Sequence, residues 1–346
     1  MKTNNYPTVN YIGNKEKVTE WIIDSLPISN GTVNGTVLDL FCGGCSVSYA
    51  LKEKGFKVIS NDVLYSNYVL AKAIIENSID ILKIDDYENI RINNKEIEKK
   101  YELIRDIFEN KIYFDYEVKE LAYLSLVAKK LKDYKNYMFL ALLRRAMIRK
   151  IPYSRMNVKW EEIQKFRNEV YSYAKYGRYR HYHNIPFSDH IEKNMDEYNK
   201  SVFDNGQQCY AYNLDGLDCV KKITQKVDLI YMDPPYPSTM NNYKDFYGAY
   251  DELVNKKTVI KTDLTDKLTF LDNFKKVVKA CIGKTDYIAI SLNNKCYPGV
   301  EKIIECIKPY ILSFEVKTKE HVYKVTNKEN KHTNYEILLI CKMKEV

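Results

Sequence analysis

The sequence predicts an α/β protein built around a parallel sheet, and three stretches lead to that prediction. Residues 36–63, TVLDLFCGGCSVSYALKEKGFKVISNDV, have the pattern of a strand, a glycine turn, a helix and a second strand. The mostly apolar run 227–232 is typical of a buried strand, and an acid, Asp233, follows it directly. Two late runs, 310–318 and 335–343, form a candidate antiparallel hairpin.

The first of these stretches predicts a βαβ unit. Val37 to Phe41 is a continuous apolar run, as expected for a parallel strand that is covered on both faces. Residues 46–54 fit a short amphipathic helix, and KVISND (57–62) fits the returning strand. Residues 66–150 then have mostly helical apolar spacing, and strand signals return near Cys209. The sheet is therefore expected to be interrupted after its second strand and resumed much later.

Composition limits the classes of protein that the chain can represent. Its 346 residues are 45% hydrophobic, yet no apolar run approaches the ~18 residues of a membrane span. The N-terminus lacks the apolar core of a signal peptide, which predicts a cytoplasmic protein without a membrane partner. Of eight cysteines only Cys42 and Cys45 form a C-x-x-C, so free thiols and no metal site are expected.

Three polar or glycine-rich features fall at the ends of predicted parallel strands, where α/β sheets bind ligands. They are the glycine turn at Gly43 and Gly44, Asp62, and the Asp-Pro-Pro-Tyr turn (233–236). The glycine turn lets a ligand approach the backbone, and Asp62 can accept hydrogen bonds from a ribose. A G-x-G-x-x-G fingerprint and a phosphate-binding loop ending in Gly-Lys-Ser/Thr are absent, which leaves S-adenosylmethionine as the cofactor. The alternative is a plain tight turn and a surface acid.

The Asp-Pro-Pro-Tyr turn suits the activation of a flat exocyclic amine such as that of adenine. The Asp233 carboxylate and the Pro234 carbonyl can accept its two hydrogens, while Pro234 and Pro235 fix the backbone. Tyr236 can stack on the base, which is worth ~1–3 kcal/mol. In-line positioning can supply ~7–11 kcal/mol of the barrier, so a covalent enzyme intermediate is not needed. The alternative is a proline turn that ends a strand, with Tyr236 packed as a wall.

Four motifs in order resemble the alpha-group, Dam-like DNA adenine-N6 methyltransferases of restriction–modification systems. They are YIGNK (11–15), DLFCGGCSV (39–47), NDV (61–63) and DPPY (233–236). The resemblance implies a Rossmann-like S-adenosylmethionine-dependent methyltransferase sheet with a mostly helical inserted target-recognition domain. Residues 1–75 and 206–346 would form the discontinuous catalytic domain, and 76–205 the inserted region.

The same resemblance implies roles for individual residues. Tyr11 and Lys15 would reach the methionine end of the cofactor, and Asp62 its ribose. YNLDGLD (212–218) would hold the residue that faces the cofactor's adenine, with Asp215 preferred over Asp218. The full set of expected cofactor residues is Tyr11, Lys15, Asp39, Phe41, Gly43, Asp62 and Asp215. The chain departs from the family at Asn14 and at Cys45, which replace glycines, and the Cys45 side chain leaves weak cofactor affinity or an altered turn open.

Residues 144–184 are rich in arginine, lysine and tyrosine and predict contact with duplex DNA. Adenine in a duplex must be flipped out before its amine can react. The candidate DNA contacts are Arg144, Arg145, Arg149, Lys150, Arg155, Arg178 and Arg180, although a solvated face is an equal alternative for each. Residues 241–250 are predicted to form either an aromatic loop that closes over the flipped base or a packed surface loop.

Other functions remain alternatives on the sequence alone. The same chemistry would serve an RNA adenine methyltransferase or an N4-cytosine enzyme, although the latter more often carry Ser before Pro-Pro-Tyr. A DNA-binding homologue with weak catalysis is a further alternative. A cognate restriction endonuclease acting on the same site is an expected partner, and the sequence does not determine the oligomeric state.

Overall fold

A seven-stranded sheet forms the centre of the computed structural model, which describes residues 5–28, 35–177, 179, 181–237, 243–320 and 334–345. The strand order is β3-β2-β1-β4-β5-β7-β6. The first five strands are parallel, and β7 lies antiparallel between β5 and β6. The strands are β1 (Thr36–Asp39), β2 (Lys57–Asn61), β3 (Tyr210–Tyr212), β4 (Val227–Met232), β5 (Thr285–Asn293), β6 (Ile311–Glu320) and β7 (Tyr335–Met343).

Thirteen α-helices surround this sheet in the described part of the chain. A five-residue π-helix, Lys72–Glu76, continues α3. The α-helices are α1 (Thr19–Ser25), α2 (Ser46–Glu53), α3 (Tyr65–Ala71), α4 (Asn94–Phe108), α5 (Asp115–Lys130), α6 (Asp133–Arg149), α7 (Trp160–Arg167), α8 (Glu169–Tyr176), α9 (Phe187–Lys200), α10 (Gly216–Lys222), α11 (Tyr243–Leu253), α12 (Phe270–Ala280) and α13 (Val300–Ile307).

Each face of the sheet has its own hydrophobic core, because successive side chains of a strand point to opposite faces. In β4, Leu229 and Tyr231 join the core that holds α2, α3 and the inserted helices. Ile230 and Met232 join the second core, with residues of α10, α12 and α13. Both faces are therefore covered, as the unbroken apolar runs of β1 and β4 predicted.

Five of the six inserted helices, α4 to α7 and α9, contribute residues to the first of these cores. Met138 to Leu143 of α6 are all buried in the same cluster as Val37 and Val58 of the sheet. The Tyr49 hydroxyl donates to the Ser201 carbonyl at 3.1 Å, and the Tyr250 hydroxyl donates to the Leu140 carbonyl at 2.9 Å. The insertion is thus continuous with the sheet through both apolar packing and hydrogen bonds.

The predicted hairpin is confirmed as the antiparallel pair β6 and β7, whereas the predicted aromatic loop is wrong. Within 241–250 the described residues begin helix α11 at Tyr243. Phe246, Tyr247, Tyr250 and Leu253 are all buried, which is helical spacing rather than loop spacing. Across the described residues, none of the helices has the length and apolarity to cross a bilayer.

Candidate active site

A cavity of about 2000 Å³ opens at the carboxyl ends of β2, β1 and β4. The strand order reverses between β1 and β4, which is where open α/β sheets bind ligands. Typical small-molecule pockets measure about 300–1,000 Å³, so this cavity has room for more than one ligand. The three features that the sequence placed at strand ends all line it, namely Gly43 and Gly44, Asp62, and residues 233–236.

The glycine turn after β1 leaves no space for a side chain. Gly43 has φ +48°, and a β-carbon placed there would lie 2.8 Å from a ring carbon of Tyr11. The Gly43 N–H donates to Asp62 Oδ2 at 2.9 Å. The turn, the YIGNK segment and the end of β2 are therefore fitted to one another before any ligand binds.

Cys45 does not crowd this cavity. Its backbone is left-handed, with φ 62°, so cysteine adopts the conformation that a glycine would adopt here. Its side chain is fully buried in the core, and its Sγ lies 3.8 Å from Sγ of Cys42. The sequence left open weak cofactor affinity or an altered turn. In the described geometry the Cys45 side chain does not enter the cavity, so it gives no steric reason for weak affinity.

Two buried carboxylates flank the glycine turn. Asp62 accepts from the Gly43 and Leu64 N–H groups at 2.9 Å each. Burial raises its pKa to about 6, although these two hydrogen bonds act to lower it. Asp39 accepts from the Ser48 hydroxyl at 2.6 Å, and burial raises its pKa to about 7. Asp39 Oδ1 is buried without a hydrogen-bond partner among the described residues. A cationic donor group entering the cavity would satisfy it.

The Asp-Pro-Pro-Tyr turn begins with Asp233, directly after β4. Its Oδ1 lies 3.4 Å from Nζ of Lys15, which also lies 3.3 Å from Oε2 of Glu336 on β7. Burial raises the pKa of Asp233 to about 6. The Lys15 ammonium acts to lower this pKa, and the Glu336 carboxylate acts to raise it. Burial alone would lower the pKa of Lys15, but Asp233 and Glu336 raise it well above its usual value. Asp233 is therefore ionised at neutral pH and sits beside a permanent cation.

The other end of the turn is held by β5. Asn293 donates its side-chain amide to the Tyr236 hydroxyl at 2.6 Å. The Tyr236 N–H donates to the Pro234 carbonyl at 2.7 Å, which uses one of that oxygen's two acceptor positions. The tyrosine ring is partly exposed and lines the cavity. These two bonds give Tyr236 a fixed position in the wall of the cavity.

Tyr11 belongs to a stack of aromatic rings beneath the cavity. Its ring is stacked on Tyr243 and Tyr247, with centroids 5.6 and 4.9 Å away. The Arg144 guanidinium lies over the rings of Tyr11 and Tyr247 at 5.8 and 5.5 Å. It also donates to Asn67 Oδ1 at 3.2 Å and is 1% exposed. The prediction that Arg144 contacts DNA is wrong, because the residue is an internal support for the aromatic stack.

A second predicted DNA contact, Lys150, has a structural role instead. Lys150 is 1% exposed and pairs with Glu117 at 2.8 Å, so its prediction is wrong for the same reason. Arg145 is partly buried and pairs with Glu197 at 2.5 Å, and its contact with DNA stays a prediction. Arg149 and Arg155 do line the cavity. Arg178 and Arg180 lie outside the described residues.

Of the two remaining predicted cofactor residues, Phe41 lines the cavity and Asp215 does not. Phe41 lines the cavity beside the glycine turn. Asp215 is absent from the described lining and serves as the N-cap of α10, accepting from Leu217 N–H at 3.1 Å. Its other oxygen accepts from the N–H groups of Lys261 and Thr262 at 3.0 and 2.8 Å. Its carboxylate thus fixes the 261–262 segment, and contact with a cofactor stays a prediction.

Several site residues carry no motif and were missed. Glu336 lies inside an apolar strand pattern, YEILLI, and Asn293 ends another strand. Alternation along β7 does not mark Glu336, because residues 336–341 are all buried. The cavity is also rimmed by lysines outside the basic segment 144–184, namely Lys244, Lys257, Lys267 and Lys295.

Comparison with known proteins agrees with this geometry. Type II methyltransferase M2.HphI of Haemophilus parahaemolyticus is 39% identical over 343 residues, covering 98% of this chain and 99% of that protein. Modification methylase StsI of Streptococcus sanguinis is 24% identical over 94% of this chain and 50% of that protein. Type II methyltransferase M.NlaIII of Neisseria lactamica is 24% identical over 94% of this chain and 95% of that protein.

The family assignment rests on the length of the match as well as on the site. Residues 11–305, from the YIGNK segment to helix α13, match the family described as D12 class N6 adenine-specific DNA methyltransferase. This range includes the glycine turn, Asp62 and the Asp-Pro-Pro-Tyr turn, and it confirms the predicted resemblance. The chain belongs to the D12 class N6 adenine-specific DNA methyltransferase family, whose members methylate adenine in DNA.

Proposed function

We propose that the chain transfers a methyl group from S-adenosylmethionine to the N6 amine of an adenine flipped out of duplex DNA. The observation that carries the proposal is the opening of Asp233 into the same cavity as the glycine turn and Asp62. When bound, the cofactor supplies an electrophilic methyl group on a sulfonium. The chain's own residues bind, orient and exclude water.

Different residues would hold the two ligands. Asp62 would accept from the ribose hydroxyls, the Gly43 turn would admit the close approach, and the unsatisfied Asp39 Oδ1 would accept from the cationic methionine end. The adenine would stack on Tyr236, whose hydroxyl Asn293 holds in place. A ring stacked there is worth about 1–3 kcal/mol.

Asp233 would carry out the proton chemistry. Its carboxylate and the Pro234 carbonyl would accept the two N6 hydrogens, which frees the nitrogen lone pair to form the new N–C bond as the S–C bond breaks. The proton that the nitrogen then loses passes to Asp233. With a pKa of about 6, Asp233 is ionised at neutral pH, so it can act as an acceptor.

Target recognition is proposed to come from the insertion between β2 and β3, as in the division 76–205. Arg149 and Arg155 belong to this insertion and line the cavity, where they would contact the DNA. The lysine rim would neutralise phosphates, which makes affinity fall steeply with salt. Because similar proteins are Type II and modification methyltransferases, we extend the proposal to a site-specific modification enzyme that protects DNA from a cognate restriction endonuclease.

The decisive experiment measures transfer of labelled methyl groups to duplex DNA and to structured RNA. Label is expected as N6-methyladenine in DNA; label in RNA alone, or in cytosine, would overturn the proposal. Asp233→Ala should lower kcat at least about a hundredfold while calorimetry detects unimpaired cofactor binding. Asp286→Ala, at a half-exposed aspartate that pairs with Lys226 on the surface, is the matched control and should keep full activity.

A further inference from the structure

A single ammonium group lies between two carboxylates at the entrance to the Asp-Pro-Pro-Tyr turn. Lys15 Nζ is 3.4 Å from Asp233 Oδ1 and 3.3 Å from Glu336 Oε2. The side chains of Lys15, Asp233 and Glu336 are 10, 23 and 2% exposed. Glu336 is therefore the most deeply buried of the three, and its carboxylate pairs with the same ammonium group as Asp233 does.

Strand β7, which carries Glu336, pairs with strand β5, whose Asn293 hydrogen-bonds to Tyr236. Glu336 on β7 is the cross-strand partner of Asn293 on β5, the residue that donates to the Tyr236 hydroxyl. The Asn294 N–H donates to the Tyr335 carbonyl at 3.1 Å, and the Tyr335 N–H donates to Asn294 Oδ1 at 3.0 Å. One cross-strand pair thus supports both ends of the turn: Tyr236 through Asn293, and Asp233 through Lys15.

Burial of Glu336 in the apolar β7 needs an explanation. An ionised carboxylate out of water is costly unless it is paired, and an apolar residue would pack in the same strand without that cost. The neighbouring residues 337–341 of β7 are apolar and buried. The carboxylate is thus retained at a position where packing alone would favour a different side chain.

The charges around Asp233 indicate what Glu336 does. If Lys15 faced Asp233 alone, the two would form a closed ion pair whose ammonium competes with the adenine amine for the carboxylate. With Glu336 present, the lysine is shared and the cluster keeps one net negative charge. Asp39, Tyr231 and Tyr243 also face Asp233, from β1, β4 and α11, but they add no cation.

We propose that Glu336 is a positioning residue for methyl transfer, which holds the Lys15 ammonium away from full contact with Asp233 and so keeps that carboxylate available to the amine. The inference rests on the proposed role of Asp233. It makes the β5–β7 pair, which lies outside the four sequence motifs, part of the support of the site.

The test is the pH profile of kcat for Glu336→Gln on duplex DNA. Loss of the Glu336 charge removes an influence that raises the pKa of Asp233, so the acid limb should move down by about 1 pH unit. Lys15 should also close on Asp233, which lowers the plateau of kcat about tenfold or more. Glu336→Asp keeps the charge and should restore the wild-type acid limb.

Two controls separate the possible failures. Glu315→Gln, at an exposed glutamate on β6, should leave both the plateau and the acid limb unchanged. If Glu336→Gln does not fold, Glu336→Asp alone decides: it should keep the wild-type acid limb, because the charge remains, and lower the plateau of kcat, because its shorter side chain holds Lys15 less well. A wild-type profile in both variants would overturn the inference, whereas methyl transfer by Asp233→Ala at the wild-type rate would instead overturn the proposed role of Asp233.

Discussion

Gly43 and Gly55 share a left-handed backbone and differ in their surroundings. Gly43 has φ +48° and faces the Tyr11 ring, whereas Gly55 has φ +86° and no described atom within 4 Å of an added β-carbon. Alanine is strained by about 1 kcal/mol or more at either position. Gly43→Ala should in addition displace Tyr11 and weaken cofactor binding at least about tenfold, which isothermal titration calorimetry would measure.

Gly55→Ala is the matched control for that prediction. Its free energy of unfolding should fall by a similar amount, because the backbone strain is the same in kind. Its cofactor affinity should stay at the wild-type value. Equal losses of affinity in the two variants would mean that strain, rather than the Tyr11 contact, governs the turn.

Asp39 is a residue whose burial costs stability. Its folded pKa of about 7 lies above its unfolded value of 3.8, so the folded state holds the proton more tightly between those two pH values. Stability therefore falls as pH rises from about 4 to about 7, and it is flat above that range. Asp39→Asn should be more stable than the wild type above pH 7, by at least about 1 kcal/mol, and equal to it below pH 4.

Thermal denaturation without cofactor, at pH 4 and pH 8, measures this difference. The variant should also lose cofactor affinity, since an uncharged amide attracts a cationic group less. A wild type that is more stable than Asp39→Asn at pH 8 would contradict the burial cost. Such a trade between stability and binding is common at functional sites.

At the scale of the elements, the end of α6 combines two neighbouring cations with opposite roles. Arg149 is exposed, lines the cavity and lies over the Tyr182 ring at 3.8 Å. Lys150 is buried and pairs with Glu117 of α5, which also pairs with Arg167 of α7 at 2.6 Å. The triad joins three inserted helices and is insulated from solvent.

Lys150→Met should therefore lower the free energy of unfolding by at least about 2 kcal/mol, since it breaks a buried ion pair. The salt dependence of DNA affinity should not change. Arg149→Met should have the opposite effects. It should lower the free energy of unfolding by less than about 1 kcal/mol, and it should reduce the slope of log DNA affinity against log salt concentration by about one unit. Chemical denaturation measures the stability of both variants, and DNA titrations at several salt concentrations measure the slopes. An altered slope in Lys150→Met would show that Lys150 contacts a DNA phosphate after all.

The strands and the ligand-binding edge could be predicted from the sequence because their signals are local. The apolar runs of β1 and β4 and the following polar residues lie within a few positions of each other. The role of Arg144 could not be predicted, since its partners Tyr11 and Tyr247 are distant in the chain. Glu336 escaped notice for the same reason, because its importance depends on Lys15, at the opposite end of the chain.

At the scale of the whole molecule, the inserted helices and the sheet share one hydrophobic core. Val37 of β1, Phe139 of α6 and Tyr231 of β4 belong to the same cluster. Lys100 of α4 also donates to the Leu253 carbonyl of α11. Neither part could expose that face to water without losing a large apolar area, so the division into 1–75 with 206–346 and 76–205 is one of proposed function rather than of independent folding.

We therefore expect a single cooperative unfolding transition in differential scanning calorimetry, with equal calorimetric and van't Hoff enthalpies. Lys150→Met, although it lies in the insertion, should shift that one transition downward rather than split it. Cofactor, which is proposed to bind at the sheet edge, should raise the same transition in both proteins by mass action. A separate early transition in Lys150→Met that does not respond to cofactor would show an independently unfolding insertion, because ligand binding at the sheet could then no longer stabilise it.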